Sequence, residues 1–157
     1  MGIYLVRKLN PVNINLEELR ETKTAKTKHT RKKHNKDLAM IEYVRKKGSR
    51  ESVEVASGQG TSKQVLIASE EAPNFALRKF VMDPHGGMPK HTNLVEHEQY
   101  ILRGSGIIEI AGDAFEVSEG DSVYIPGKVP HSYKAGKNGL EFICVVPNQE
   151  DKVEIVE

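Results

Sequence analysis

Short runs in which apolar and polar residues alternate dominate the chain from about Ser62 onward, and no long helical stripe is present there. The predicted strands are Gln64–Ile67, Phe75–Met82, Glu98–Leu102, Gly106–Ile110, Ala114–Val117, Ser122–Ile125, Ser132–Lys134 and Glu141–Val146. The turn residues that separate them include Asp83-Pro84, Gly104-Ser105-Gly106, Ala111-Gly112-Asp113 and Lys137-Asn138-Gly139. Short strands at regular spacing predict an all-β sandwich or barrel, with a hairpin that joins Ile107–Ile110 to Phe115–Val117.

The first third of the chain gives mixed local signals. Ile3–Val6 predicts a strand, and Asn15 is placed to cap a short helix over Leu16–Arg20. Apolar residues at three-residue spacing predict a helix over Asp37–Lys47 that ends at Gly48, although Met40–Val44 also fits a strand. We therefore expect a partly helical extension over residues 1–60, with Ser57–Ser62 as its polar linker. A β-barrel over 61–150 and a tail over 151–157 follow.

Charge separates the two parts of the chain more sharply than its net value of +1 suggests. Residues 1–50 contain 14 Lys and Arg against 5 Asp and Glu, whereas residues 51–157 contain 9 against 17. The basic residues are concentrated in Lys23–Lys36 and Arg45–Lys47. Because the run Lys23–Lys36 has no aromatic residues for base stacking and no helix-turn-helix pattern fits around it, we favour a solvated arm that complements the acidic barrel. Binding of the arm to nucleic acid is the alternative.

Histidines on predicted strands supply the candidate chemistry. Alternate residues of a strand share a face, so His91 and Asn93 should point the same way, with His97 and His131 on later strands. Three imidazoles that converge from neighbouring strands suit a divalent transition metal. The single cysteine, Cys144, cannot form an internal disulfide and fits a reducing compartment, so a cytoplasmic location is expected.

The spacing of these residues resembles the two motifs of the cupin superfamily. His91, Asn93, His97 and Gly104 fall on the first motif, in which Asn93 occupies a histidine slot and His97 an acidic slot. Gly86 lies one place out of register with the leading glycine. The second motif is matched by Gly120, Pro126 and His131, whereas Lys128 replaces its inner glycine and Ala135 its last asparagine. The resemblance covers about residues 65–147 and is closest to small archaeal and bacterial cupins with four-histidine metal sites.

The resemblance implies a double-stranded β-helix barrel that binds iron, manganese, nickel or zinc through His91, His97 and His131. Asn93 would coordinate weakly, hold a metal-bound water or leave its position open. Glu98 is the alternative acidic ligand, but strand alternation points it outward. Gln99 and Tyr133 share faces with ligands and are the candidate catalytic residues.

Three further residues have plainer interpretations: Ile101 as core, Cys144 as a small buried hydrophobe, and His85 as a loop residue.

The expected function is that of a metal-dependent cupin that acts on a small organic molecule, with dioxygenase-like chemistry as the first hypothesis and isomerisation or decarboxylation as further options. The alternative is a non-enzymatic ligand-binding or regulatory cupin with a basic interaction arm. A metal-free sugar isomerase is a third option. We also expect a homodimer with the arm at its interface, because Ile3–Val6 could pair with a neighbour's sheet edge. No apolar run is long enough to span a membrane.

Overall fold

A computed structural model of the chain describes residues 42–156 and contains eight strands in that range. They are β1 (Ser52–Glu54), β2 (Gln59–Ile67), β3 (Phe75–Thr92), β4 (His97–Ile110), β5 (Asp113–Ser118), β6 (Ser122–Ile125), β7 (His131–Pro147) and β8 (Glu154–Ile155). All pairings are antiparallel, in the order β1-β2-β3-β7-β4-β5, with β6 paired to β4 and β8 to β3. The predicted all-β barrel is confirmed.

Three long strands replace several of the short ones predicted from the sequence. β3 continues through Asp83-Pro84, β4 through Gly104-Ser105-Gly106, and β7 through Lys137-Asn138-Gly139. These segments are irregularities within a strand, where the pairing shifts register, and they do not end the strand. Gly104 is required at one of them: its φ is 83°, and an added Cβ would lie 2.1 Å from the carbonyl oxygen of Gly139.

The predicted hairpin is confirmed. β4 and β5 pair from Ser105 opposite Ser118 to Ile110 opposite Asp113. The two residues between the strands, Ala111 and Gly112, have φ values of 56° and 94°, as tight hairpin turns require.

Matching rows of side chains from β3, β7 and β4 fill the interior. Phe80 lies opposite Phe142, which lies opposite Ile101, and the two phenylalanine rings stack at 5.2 Å. Phe142 and Ile101 are buried. Ile101 is therefore a core residue, as the sequence predicted. The neighbouring row, Arg78–Cys144–Gln99, lies on the same inner face.

Three predictions at the edges of the barrel need correction. Residues 42–47 contain neither helix nor strand, so the helix over Asp37–Lys47 is wrong in its described part. The polar linker is wrong from Gln59 onward, because β2 begins there and places the boundary at residue 60 inside a strand. The tail over 151–157 includes β8. The strand at Ile3–Val6 and the helix at Leu16–Arg20 lie outside the described residues.

Within residues 42–156, no helix is long and apolar enough to cross a membrane.

Candidate metal centre

Polar side chains are buried at one end of the inner face. His91, Asn93, His97 and His131, the four residues predicted as the metal set, are 5%, 4%, 6% and 1% exposed. Gln99 is 4% exposed. Burial of polar groups is costly unless they have hydrogen-bond partners or ligands. Packing of the hydrophobic core therefore does not explain why these five residues are buried.

Strand pairing brings the three imidazoles together. His91 of β3 lies opposite His131 of β7, and their ring centroids are 4.2 Å apart. His97, the first residue of β4, places its ring centroid 5.5 Å from that of His131. The motif histidines, which are up to 40 positions apart along the chain, therefore form one cluster.

Backbone carbonyl groups determine which ring nitrogen of His91 and of His131 is available to a metal. Nδ1 of His91 lies 2.8 Å from the carbonyl oxygen of Pro89, and Nδ1 of His131 lies 2.9 Å from that of Val129. Because a carbonyl only accepts hydrogen bonds, both Nδ1 atoms carry the proton, and each Nε2 keeps a lone pair. The Nε2 atoms of His97 and His131 are buried without a hydrogen-bond partner.

Burial keeps the rings of His97 and His131 neutral. Burial lowers the pKa of His97 to about 3, and the positive charge of Arg78 contributes to that shift. Burial also lowers the pKa of His131 to about 4, against the opposing effect of its hydrogen bond to Val129. Neutral imidazole is the form that binds a metal, so the donor set fits a divalent transition metal.

The histidine side chains do not already converge on a single position that a metal ion could occupy. Within residues 42–156, no three His, Cys, Asp or Glu side chains already form a metal-binding group. The fit to a metal rests on the orphaned ring nitrogens and on the buried Oδ1 of Asn93, which also lacks a partner. The assignment of His91, Asn93, His97 and His131 as ligands therefore stays a prediction.

Asp151 holds Asn93 and was not foreseen from the sequence. The Nδ2 of Asn93 donates to Oδ2 of Asp151 at 2.7 Å, and the backbone N–H of Leu94 donates to Oδ1 at 2.9 Å. With its amide nitrogen fixed in this way, Asn93 keeps Oδ1 as its free donor atom. A lone aspartate in a segment interpreted as a tail carries no sequence signal for this role.

The two candidate catalytic residues contact each other. The Nε2 of Gln99 donates to the hydroxyl oxygen of Tyr133 at 2.6 Å, and the tyrosine ring centroid lies 5.7 Å from that of His131. Burial raises the pKa of Tyr133, so the phenol stays protonated and can donate its own hydrogen. The Oε1 of Gln99 is buried without a partner. The pair could orient oxygen atoms of a bound molecule.

Glu98 lies where alternation predicted, whereas His85, predicted as a loop residue, lies within β3. Glu98 is exposed and points away from the histidines, and His85 is exposed with a φ of 62° at the irregular part of β3. Cys144 is buried, and burial raises the pKa of its thiol. Arg78, however, was missed: its Nη2 donates to Sγ of Cys144 at 3.2 Å on the inner face. The alternation of Arg78 with Phe80 and Met82 in the predicted strand could have placed it on the inner face.

Lys128 stands where the cupin motif has glycine, and its backbone explains that motif position. Its φ is 67°, in the left-handed region, and its N–H donates to the carbonyl oxygen of Asn93 at 2.6 Å. This hydrogen bond connects the loop that precedes His131 to Asn93, two positions after His91.

The cupin domain family matches residues 78–146, the segment that contains both histidine motifs. Residues 78–146 are therefore a cupin domain. A cyclase of known structure, the polyketide cyclase RemF of Streptomyces resistomycificus, is 28% identical with a TM-score of 0.66, and the match covers 75% of this chain and 87% of RemF. The match to an oxalate decarboxylase of Bacillus subtilis with Mn(II) centres is 25% identical with a TM-score of 0.54, and covers 62% of this cupin and 27% of that protein.

Two curated proteins are also similar to this cupin. An uncharacterized protein of Methanocaldococcus jannaschii is 37% identical over 65 residues, which cover 40% of this chain and 52% of that protein. The dimethylsulfoniopropionate lyase DddW of Ruegeria pomeroyi is 38% identical over 79 residues, which cover 50% of this chain and 44% of the lyase. The matches thus span about half the length of these relatives.

Proposed function

We propose that this cupin binds one divalent transition metal through His91, His97 and His131, with Asn93 at the fourth position, and acts as an enzyme on a small organic molecule. The observation that carries the proposal is the pair of buried, unpartnered Nε2 atoms of His97 and His131. A bound ion would satisfy both, whereas without one they impose a desolvation penalty on the fold.

The chain's own residues would prepare the site for chemistry. Carbonyl oxygens of Pro89 and Val129 hold two imidazoles in the ligating tautomer. Gln99 and Tyr133 present an unpartnered amide oxygen and a phenolic hydrogen near the rings, where they could position a substrate. A bound metal would supply Lewis acidity, or redox capacity if it is iron or manganese.

Dioxygenase-like turnover is the first reaction we propose. The similar proteins with stated activities are a lyase, a cyclase and a decarboxylase, which supports non-redox chemistry as the second. A non-enzymatic ligand-binding cupin is a further candidate, favoured by an amide in place of the fourth imidazole. The expected homodimer and the binding of a partner by the basic arm remain predictions, as does the cytoplasmic location.

Metal-dependent turnover tests the proposal. Protein loaded separately with iron, manganese, nickel or zinc would be assayed for oxygen uptake with enolic and diketone substrates, and for substrate loss without oxygen. Iron- or manganese-specific uptake supports oxidative chemistry, and oxygen-independent loss supports the non-redox reaction. Tyr133→Phe should lower the rate at least about tenfold with metal content unchanged, whereas Tyr124→Phe, at an exposed tyrosine, should not. Ligand-induced stabilisation without turnover in any form would favour the binding module.

A further inference from the structure

Arg78 is a cation on the inner face of the barrel. It lies opposite Cys144, which lies opposite Gln99, so the three side chains form a row directly beside the Phe80–Phe142–Ile101 row. The guanidinium carbon is 5.5 Å from the ring centroid of Phe80. Arg78 is half-buried, and a counter-charge or a ligand would offset the cost of its partial desolvation.

No carboxylate among residues 42–156 forms an ion pair with Arg78. Among residues 42–156, Arg45 and Arg50 both pair with Glu71, but Arg78 takes part in no ion pair. Its single side-chain hydrogen bond goes to the sulfur of Cys144, and its Nε is buried without a partner. A thiol is a weak acceptor, so most of the donor capacity of the guanidinium remains unused.

Arg78 lines a cleft large enough for a small molecule. The cleft has a volume of about 610 Å³, and Arg78 lines it together with Val95, Val146 and Asp151. Asp151 accepts N–H hydrogen bonds from Asn93, Leu94 and Val95 and forms no ion pair with Arg78. Because Asp151 also holds Asn93, the cleft is adjacent to the candidate metal centre.

We propose that Arg78 binds the carboxylate of a small organic acid whose other end reaches the histidine cluster. The position of the other end at the histidine cluster rests on the proposed metal site, whereas binding of the carboxylate by Arg78 does not. A guanidinium presents parallel N–H donors that match a carboxylate. A single carboxylate fits better than a phosphate, because Glu70 and Asp151 line the same cleft and would repel a second negative charge.

The test uses pyruvate and its uncharged amide, pyruvamide, as probes that differ only in the carboxylate. Binding would be measured by calorimetry with metal-loaded and metal-free full-length protein, with inorganic phosphate as a third probe. Pyruvate should bind more tightly than pyruvamide or phosphate, and Arg78→Gln should weaken its binding roughly 10- to 100-fold. Arg103→Gln, at an exposed arginine of β4, should leave it unchanged.

A second measurement needs no variant. Pyruvate, but not pyruvamide, should protect Arg78 from modification by phenylglyoxal in the wild-type protein, with Arg103 labelled equally in both cases. Loss of pyruvate affinity in Arg78→Gln without metal would support Arg78 even if the metal site fails. Equal pyruvate affinity in wild type and Arg78→Gln, tighter binding of phosphate, or absence of protection would overturn the inference while leaving the metal proposal standing.

Discussion

Asn93 and Asp151 are 58 positions apart in the sequence, yet the amide nitrogen of the first donates to the carboxylate of the second at 2.7 Å. The contact connects the end of β3 to the C-terminal segment, which is itself anchored where β8 pairs with His91 and Thr92. It leaves Asn93 Oδ1 unpartnered beside the histidines. An asparagine held in this way can replace an imidazole as a weak oxygen donor, with a nearby negative charge to favour a cation.

Asp151→Asn should therefore weaken metal binding by about tenfold or more, because it replaces one of the two carboxylate oxygens that accept from Asn93 and Leu94 by an NH2 donor and removes the negative charge. Competition with a chelator would measure the affinity. Asp121→Asn is the matched control, since Asp121 accepts a similar backbone hydrogen bond from Ser118 in an exposed turn. Equal losses in the two variants would show that the effect is one of general stability.

Asn93→His should raise metal affinity, because imidazole is a stronger donor than an amide oxygen on the face already shared with His91. The same chelator competition would measure it. An affinity equal to that of the wild type would indicate that Asn93 does not reach the metal.

Stability of the metal-free protein should fall as the pH decreases from about 6.5 toward 4. The folded-state pKa values of His97 and His131, about 3 and about 4, lie below the ordinary value of 6.5, so the unfolded chain binds more protons in this window. Each histidine should contribute a loss of up to about 1.4 kcal/mol per pH unit. Urea unfolding at a series of pH values would show a shallower dependence for His97→Gln than for the wild type. A flat wild-type profile would contradict the burial of neutral imidazoles.

Lys128→Gly should stabilise the protein by about 0.5–1 kcal/mol, because a left-handed φ of 67° is unfavourable for lysine and open to glycine. Chemical denaturation would measure the free energy of unfolding. Lys134→Gly, at an exposed position within β7, should be destabilising instead. If Lys128→Gly also lowered the free energy of unfolding, the exposed side chain of Lys128 would have to make a stabilising contact.

The sequence predicted the fold and the grouping of the histidines, but it did not indicate Asp151 or Arg78. Alternation correctly placed His91, His97, Gln99 and Ile101 on the inner face, because the period of a strand is a local property. Local patterns mislead at Gly104-Ser105-Gly106, where glycines mark an irregularity within β4 and not its end.

Long-range contacts explain the remaining omissions. Asp151 belongs to the site only because the C-terminal segment returns to β3. The importance of Arg78 depends on its lack of an ion-pair partner among the described residues. Neither fact can be obtained from the spacing of residues along the chain.

Metal content is the most direct test of the central claim that His91, His97 and His131 bind one ion. Wild-type protein purified without chelators and reconstituted with a divalent transition metal should contain one equivalent by elemental analysis. His131→Ala should lose it, and His85→Ala, which removes an exposed imidazole from the same sheet, should retain it. Wild-type protein that binds no metal, or His131→Ala protein with the full equivalent, would contradict the account.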